Sequence, residues 1–204
     1  MMLKKMSRKA GSGFVGNFKK DILLIDTEFS GFDLDKHELL QVAAILLDKK
    51  TLKEKKSFST YIRPTPARWK HRNRSAMAVN RITWEQVKNA PSLKNALRKF
   101  DKTFGHDVIQ AFYVGYNDKR FLMDGYRRAG LKWQFDYHYF ELWGFFYPFL
   151  AVQNRLTSIK DFAGFGIEAM LKMFKIPQPD NLHDALTDCR VEAEILRKAI
   201  NQMK

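Results

Sequence analysis

Apolar positions run in short strand-like blocks over the first third of the chain and take up helical spacing afterwards. Asp21-Ile22-Leu23-Leu24-Ile25-Asp26 is a continuous apolar run with β-branched members and predicts a buried strand. Leu39 to Leu47 is a second run, and Ser57 to Ile62 a third with alternating character. The short turn-like segments between them predict three sequential, antiparallel strands. Farther on, Leu93, Ala96, Leu97 and Phe100 share one helical face within Pro91 to Phe104. Val108 to Val114 predicts a fourth strand, followed by a helix from about Asp118 to Ala129 that Gly130 closes.

The aromatic block Phe135 to Val152 reads as a strand entering a helix, with its rings assigned to core packing rather than to a binding stripe. Thr157 to Phe174 has a helical period broken by Gly164 and Gly166, which predicts two short helices. A last helix runs from about Asp184 to the C-terminus, with Ala185, Cys189, Leu196 and Ile200 turned inward. Strands first, then strands alternating with helices, predict one α/β domain around a mixed central sheet, over residues 21–204. Residues 1–20 are basic and Gly/Ser-bearing and read as a flexible N-terminal arm; an ordered extension touching nucleic acid is the alternative.

Charge narrows the function classes. The chain carries 36 Lys and Arg against 22 Asp and Glu, a formal net charge of +14. That excess favours a polyanionic partner, nucleic acid or an acidic membrane surface, over a merely basic, solvated exterior. The single cysteine, Cys189, excludes an intrachain disulfide and the usual Cys-rich zinc sites, and fits a reducing, cytoplasmic setting. No long apolar stretch follows the basic N-terminus, which argues against a secretory signal. The longest apolar run, Leu142 to Val152, is shorter than the ~20 residues of a spanning helix and contains Pro148, so no membrane association is expected.

Gly11-Ser12-Gly13-Phe14-Val15-Gly16 matches a dinucleotide fingerprint. It precedes the first convincing strand, whereas that motif works only between a strand and a helix, so it is set aside. The acidic residues carry more. Asp26 and Glu28 end the most apolar strand, and residues two apart in a strand point to one side. Carboxylates converging there suit a hard cation such as Mg²⁺ or Mn²⁺. A solvated pair opening the turn at Gly31 is the plainer reading, and the pair alone does not decide. A second constellation is His183-Asp184-Ala185-Leu186-Thr187-Asp188. Within one helix His183 and Asp188 would sit about 140° apart, so a shared site requires His183 at or before the helix start. His37, His71, His106 and His138 have no comparable acidic setting.

Ile25-Asp26-Thr27-Glu28-Phe29-Ser30-Gly31 resembles the first motif of the DEDDh-type 3′–5′ exonucleases, which include proofreading subunits, ribonuclease T and oligoribonuclease. His183 to Asp188 resembles the third motif, and Asn80-Arg81-Ile82-Thr83 through Ala90-Pro91-Ser92 the stretch before the family's first long helix. The second motif departs from the pattern: Tyr113-Val114-Gly115-Tyr116-Asn117-Asp118 stands where His-Asn, two residues and Phe-Asp are usual. Asp118 is the natural carboxylate there, with a helix N-cap as its plainer reading and Asp107 and Asp124 as fallbacks.

The resemblance implies a ribonuclease-H-like fold of about five strands flanked by helices, with catalytic residues Asp26, Glu28, Asp118, His183 and Asp188. Asp26, Glu28, Asp118 and Asp188 would hold two divalent ions, Mg²⁺ or Mn²⁺, and His183 would act as general base. The implied substrate is the 3′ end of single-stranded DNA or RNA, the implied product a nucleoside 5′-monophosphate, and the implied setting DNA repair or RNA processing. Phe29 would pack near the terminal base or sugar, with a core phenylalanine as the other reading. Arg63, Arg68, Lys70, Arg72, Arg74 and Arg81 are interleaved with Trp69 in a stretch without acidic residues. That suits backbone contacts and stacking, or else a solvated loop. The aromatic block would be a docking surface for a polymerase or a second copy only if it were not core. A non-catalytic nucleic-acid-binding module on the same fold is the alternative of a different class.

Overall fold

The computed structural model describes residues 18–156 and 166–203. Its centre is a five-stranded sheet in the order β3-β2-β1-β4-β5. The strands are β1 (Ile22–Phe29), β2 (Leu39–Leu47), β3 (Glu54–Tyr61), β4 (Ile109–Phe112) and β5 (Tyr139–Glu141). β1 pairs antiparallel with β2, and β2 with β3. β1 pairs parallel with β4, and β4 with β5, so the mixed sheet expected from the sequence is present. The helices are α1 (Pro66–Lys70), α2 (Arg74–Asn80), α3 (Trp84–Val87), α4 (Leu93–Phe104), α5 (Tyr116–Arg128), α6 (Leu142–Val152), α7 (Ile167–Met173) and α8 (Ala185–Gln202).

The alternating side chains of β1 serve two cores. Ile22 and Leu24 pack with α6, α7 and α8, while Leu23 and Ile25 pack with α4 and α5. Burial on both faces is why this segment is continuously apolar rather than alternating. α8 lies across β1 and β2 with Cys189 fully buried between them, its thiol directed at the Leu24 and Ala43 carbonyls.

Several elements differ from expectation at their edges. β1 continues to Phe29, so Asp26 and Glu28 lie inside the strand rather than opening a turn at Gly31. α5 begins two residues before Asp118 and ends as expected, with Gly130 at φ +63°. There the Gly130 N–H bonds to the Arg127 carbonyl and the Leu131 N–H to the Tyr126 carbonyl, the paired closure of a Schellman turn. The stretch Arg63 to Arg81, legible only as a basic segment, folds into α1 and α2, each capped by a side chain, Thr65 and Asn73. The aromatic block is core in part: Trp133 and Phe135 pack on Tyr126, and Phe145, Phe146 and Phe149 in the α8-side core, while Tyr137, Tyr139 and Tyr147 are exposed. The glycine-rich 11–16 segment and the first of the two helices expected over 157–174 lie outside the described residues; α7 is the second. Phe18 and Lys20, assigned to the N-terminal arm, are tied to the domain through the Lys49 carbonyl and Asp107. Among the described residues no helix is long and apolar enough to cross a membrane.

Candidate active site

The period-two geometry of β1 divides the acidic residues. Asp26 and Glu28 share the parity of Ile22 and Leu24 and so face α8, while Thr27 shares that of Leu23 and Ile25 and faces α5. On the α8 side, carboxylate oxygens of Asp26, Glu28 and Asp188 all lie within 4.8 Å of one another. On the α5 side, Asp118 Oδ1 accepts from the Thr27 N–H at 3.0 Å and from the Thr27 hydroxyl at 2.6 Å. The register of β1 against β2 shifts between Glu28 and Phe29, a bulge of the kind that re-aims side chains beside active sites.

Asp118 is not the helix cap that the plainer reading allowed. Gly115 occupies the N-cap of α5 without a side-chain bond, and Asp118 sits in the first turn. The fallback acids lie elsewhere: Asp107 pairs with Lys20, and Asp124 with Arg127 and Arg128. His183 has φ +69° and stands immediately before α8, whose N-cap is Asp184. Asp184 accepts from the Thr187 N–H and from Gln41 Nε2, which fixes the helix start against β2. The His183 N–H points at the Asp188 carboxylate, at 3.2 and 3.3 Å. The His183 backbone and the Asp188 side chain thus meet across the helix start.

Crowded, half-desolvated carboxylates resist ionisation. Burial first, and then Asp118, Glu192, Glu28 and Asp188, push Asp26 well above the ordinary carboxylate range. Burial followed by Asp188 and Asp118 raises Glu28 to about 8. Burial raises Asp118 to about 6 against the two Thr27 bonds. Asp188 is also raised by burial to about 6, held back by the His183 N–H. Among the described residues no Lys, Arg or His side chain forms an ion pair with any of these four. An all-oxygen donor set without a protein cation fits a hard divalent ion.

The chain matches the RNase T family, described as exonuclease, over residues 23–196. It belongs to that exonuclease family. The same fold appears in cell-death related nuclease 4 (CRN-4), with a TM-score of 0.75 and 19% identity over 91% of this chain. The nuclease domain of 3′hExo, a DEDDh family member bound to rAMP, gives 0.74 and 18% over 92%. The zinc-bound E. coli ExoI–ssDNA complex gives 0.70 and 16% over 90%. The exonuclease chain spans 65% of the CRN-4 chain, 94% of the 3′hExo domain and 41% of the ExoI chain. No curated protein sequence matches it significantly.

Three residues beside these carboxylates escaped the sequence. Thr27 anchors Asp118, and nothing in a lone threonine marks that. Asn80, at the end of α2, donates to the Phe29 carbonyl at 3.1 Å, accepts from the Ile82 N–H and partly offsets the rise of the Glu28 pKa. Glu192, 2% exposed, lies one turn beyond Asp188 on α8, on the same helix face. The histidines set aside prove ordinary, though not free of acids: His106 pairs with Asp101 and His138 with Asp136. His37 sits under Gly31, whose φ is +149°, and where a Cβ would come within 2.5 Å of the ring.

Phe29 stacks on Phe121 at 4.6 Å and meets Phe32 edge-on at 5.4 Å, with Phe32 57% exposed. Beside this end of β1 lies the basic segment. The Asn73 N–H donates to the Ser30 carbonyl, and a concavity of about 470 Å³ is lined by Lys70, Arg72, Arg74, Met77 and Ala78. Arg72 lies over the Trp69 ring at 5.0 Å.

Proposed function

We propose that the protein is a metal-dependent 3′–5′ exonuclease that removes nucleoside 5′-monophosphates from single-stranded DNA or RNA ends. The convergence of Asp26, Glu28 and Asp188 from β1 and α8 carries this reading. These three, with Asp118 from the α5 side, would hold two divalent ions, Mg²⁺ or Mn²⁺. Bound ions would polarise the phosphate and lower the pKa of a water. His183 takes the proton of the attacking water, for which an imidazole is suited near neutral pH. The water oxygen bonds to phosphorus, the bond from phosphorus to the preceding nucleotide's O3′ breaks, and that oxygen leaves with the electron pair and takes a proton from solvent water to become the new 3′-hydroxyl. The Thr27 bonds keep Asp118 in one orientation, and Asp184 does the same for the helix start bearing Asp188.

The half-buried Phe29, supported from behind by Phe121, would meet the terminal nucleotide by stacking, which tolerates any base. The cationic concavity on α1 and α2 would take phosphates farther along the strand. The bound rAMP of 3′hExo and the single strand of ExoI belong to the same ligand classes. The test is digestion of matched 5′-labelled single-stranded DNA and RNA with Mg²⁺, Mn²⁺ or EDTA. The expected result is a metal-dependent ladder shortening from the 3′ end, lost in Asp26→Asn and reduced at least 100-fold in His183→Ala. Internal cuts, or shortening from the 5′ end, would refute the direction. Tight binding without cleavage under any metal would refute the mechanism.

A further inference from the structure

We propose that Glu192 is a fifth carboxylate of the ion-binding site, a positioning residue that acts through water bound to an ion. The inference rests on the metal reading above. α8 buries a stripe comprising Ala185, Asp188, Cys189, Glu192, Ile195, Leu196 and Ala199, at the spacing of one helical face. Core packing alone would put an apolar side chain at 192. Instead a glutamate stands there, 2% exposed, with Oε2 buried and without a hydrogen-bond partner. A buried carboxylate oxygen left unpaired is costly, and among the described residues no cation pairs with Glu192.

Its neighbours show where it faces. The four-residue step from Asp188 puts the two side chains about 5–6 Å apart on one face. Glu192 feels the charges of Asp188, Asp118 and Glu141, and its own charge acts on Asp26 and on the Tyr113 phenol. It therefore lies against the acidic cluster, on the α8 side of the sheet. The tight set of three within 4.8 Å does not include it, so it stands one step back from the oxygens that would touch a common ion. A carboxylate in that position accepts from the water an ion carries and fixes its orientation. Such outer partners set metal affinity as well as geometry.

The test is calorimetric titration of the full chain with Mn²⁺, together with melting in EDTA, for the wild type, Glu192→Gln, Glu192→Met and Asp26→Asn. Both substitutions at 192 should weaken Mn²⁺ binding about 10–100-fold. Glu192→Met should also raise the metal-free Tm, because it removes a buried carboxylate oxygen that has no partner and methionine suits the apolar stripe. The opposite signs distinguish the proposal from a packing role. Unchanged Mn²⁺ affinity in both 192 variants, with Asp26→Asn impaired, would overturn the role of Glu192 whichever way Tm moves. Undiminished binding in Asp26→Asn as well would overturn the metal site itself.

Discussion

Asp26, Glu28, Asp118 and Asp188 are placed where ionising one opposes ionising the next, and that has a measurable sign. Asp118 and Asp188 are raised to about 6 and Glu28 to about 8, above the ordinary carboxylate range of about 4. A group that binds its proton more tightly when folded contributes stability that is full below its unfolded pKa and lost as pH rises through its folded one. Metal-free protein should therefore lose stability between about pH 4 and 8. Asp188→Asn, melted in EDTA, should exceed the wild type in Tm by a margin growing over that window to on the order of 5 °C. A pH-independent difference would mean that the cluster is already neutralised within the protein. Thr27 makes a second case: Thr27→Val keeps the backbone bond to Asp118 but loses the hydroxyl. We expect a loss of about 1 kcal/mol by denaturant titration, with a larger proportional loss of kcat than of stability.

At the scale of elements, legibility followed apolar pattern. β1 and β2 could be read because both their faces are buried, and α4 and α8 because one face repeats at helical spacing. α1, α2 and α3, of 5, 7 and 4 residues, could not, since they bury few side chains and are held by caps and by bonds to other elements. The candidate site divides in the same way. Asp26, Glu28, His183 and Asp188 were singled out because they match the family's first and third motifs; their spacing alone left Asp26 and Glu28 undecided. Asp118 was ambiguous because first-turn acids are common; Gly115 at the N-cap and the bonds to Thr27 distinguish it from a cap. Glu192 was invisible because an acid on an amphipathic helix is ordinarily solvated, and which face is buried is set by the sheet. Asn80 joins α2 to β1, and Asn80→Ala would leave the Phe29 carbonyl and Ile82 N–H without it. A cost of about 2–4 kcal/mol by urea titration is expected. Neutral behaviour would show that α2 is held to β1 by other contacts.

Over the whole molecule, a net charge of +14 coexists with a site where the carboxylates of Asp26, Glu28 and Asp188 converge. The two are compatible if cations at the cluster reverse its sign and the basic segment guides the strand toward it. For single-stranded nucleic acid, log affinity falls with log salt at about 0.7 per phosphate contact. Combining Lys70→Ala, Arg72→Ala and Arg74→Ala should flatten that slope by up to about 2 on long oligonucleotides. It should leave turnover of a dinucleotide nearly unchanged. An unaltered slope would assign the strand to another surface.

The most direct test of the central claim is the anomalous difference density of crystals grown with Mn²⁺. The account predicts a strong peak among Asp26, Glu28 and Asp188, lost in Asp188→Asn. Density elsewhere, or none at that cluster at saturating Mn²⁺, would contradict it.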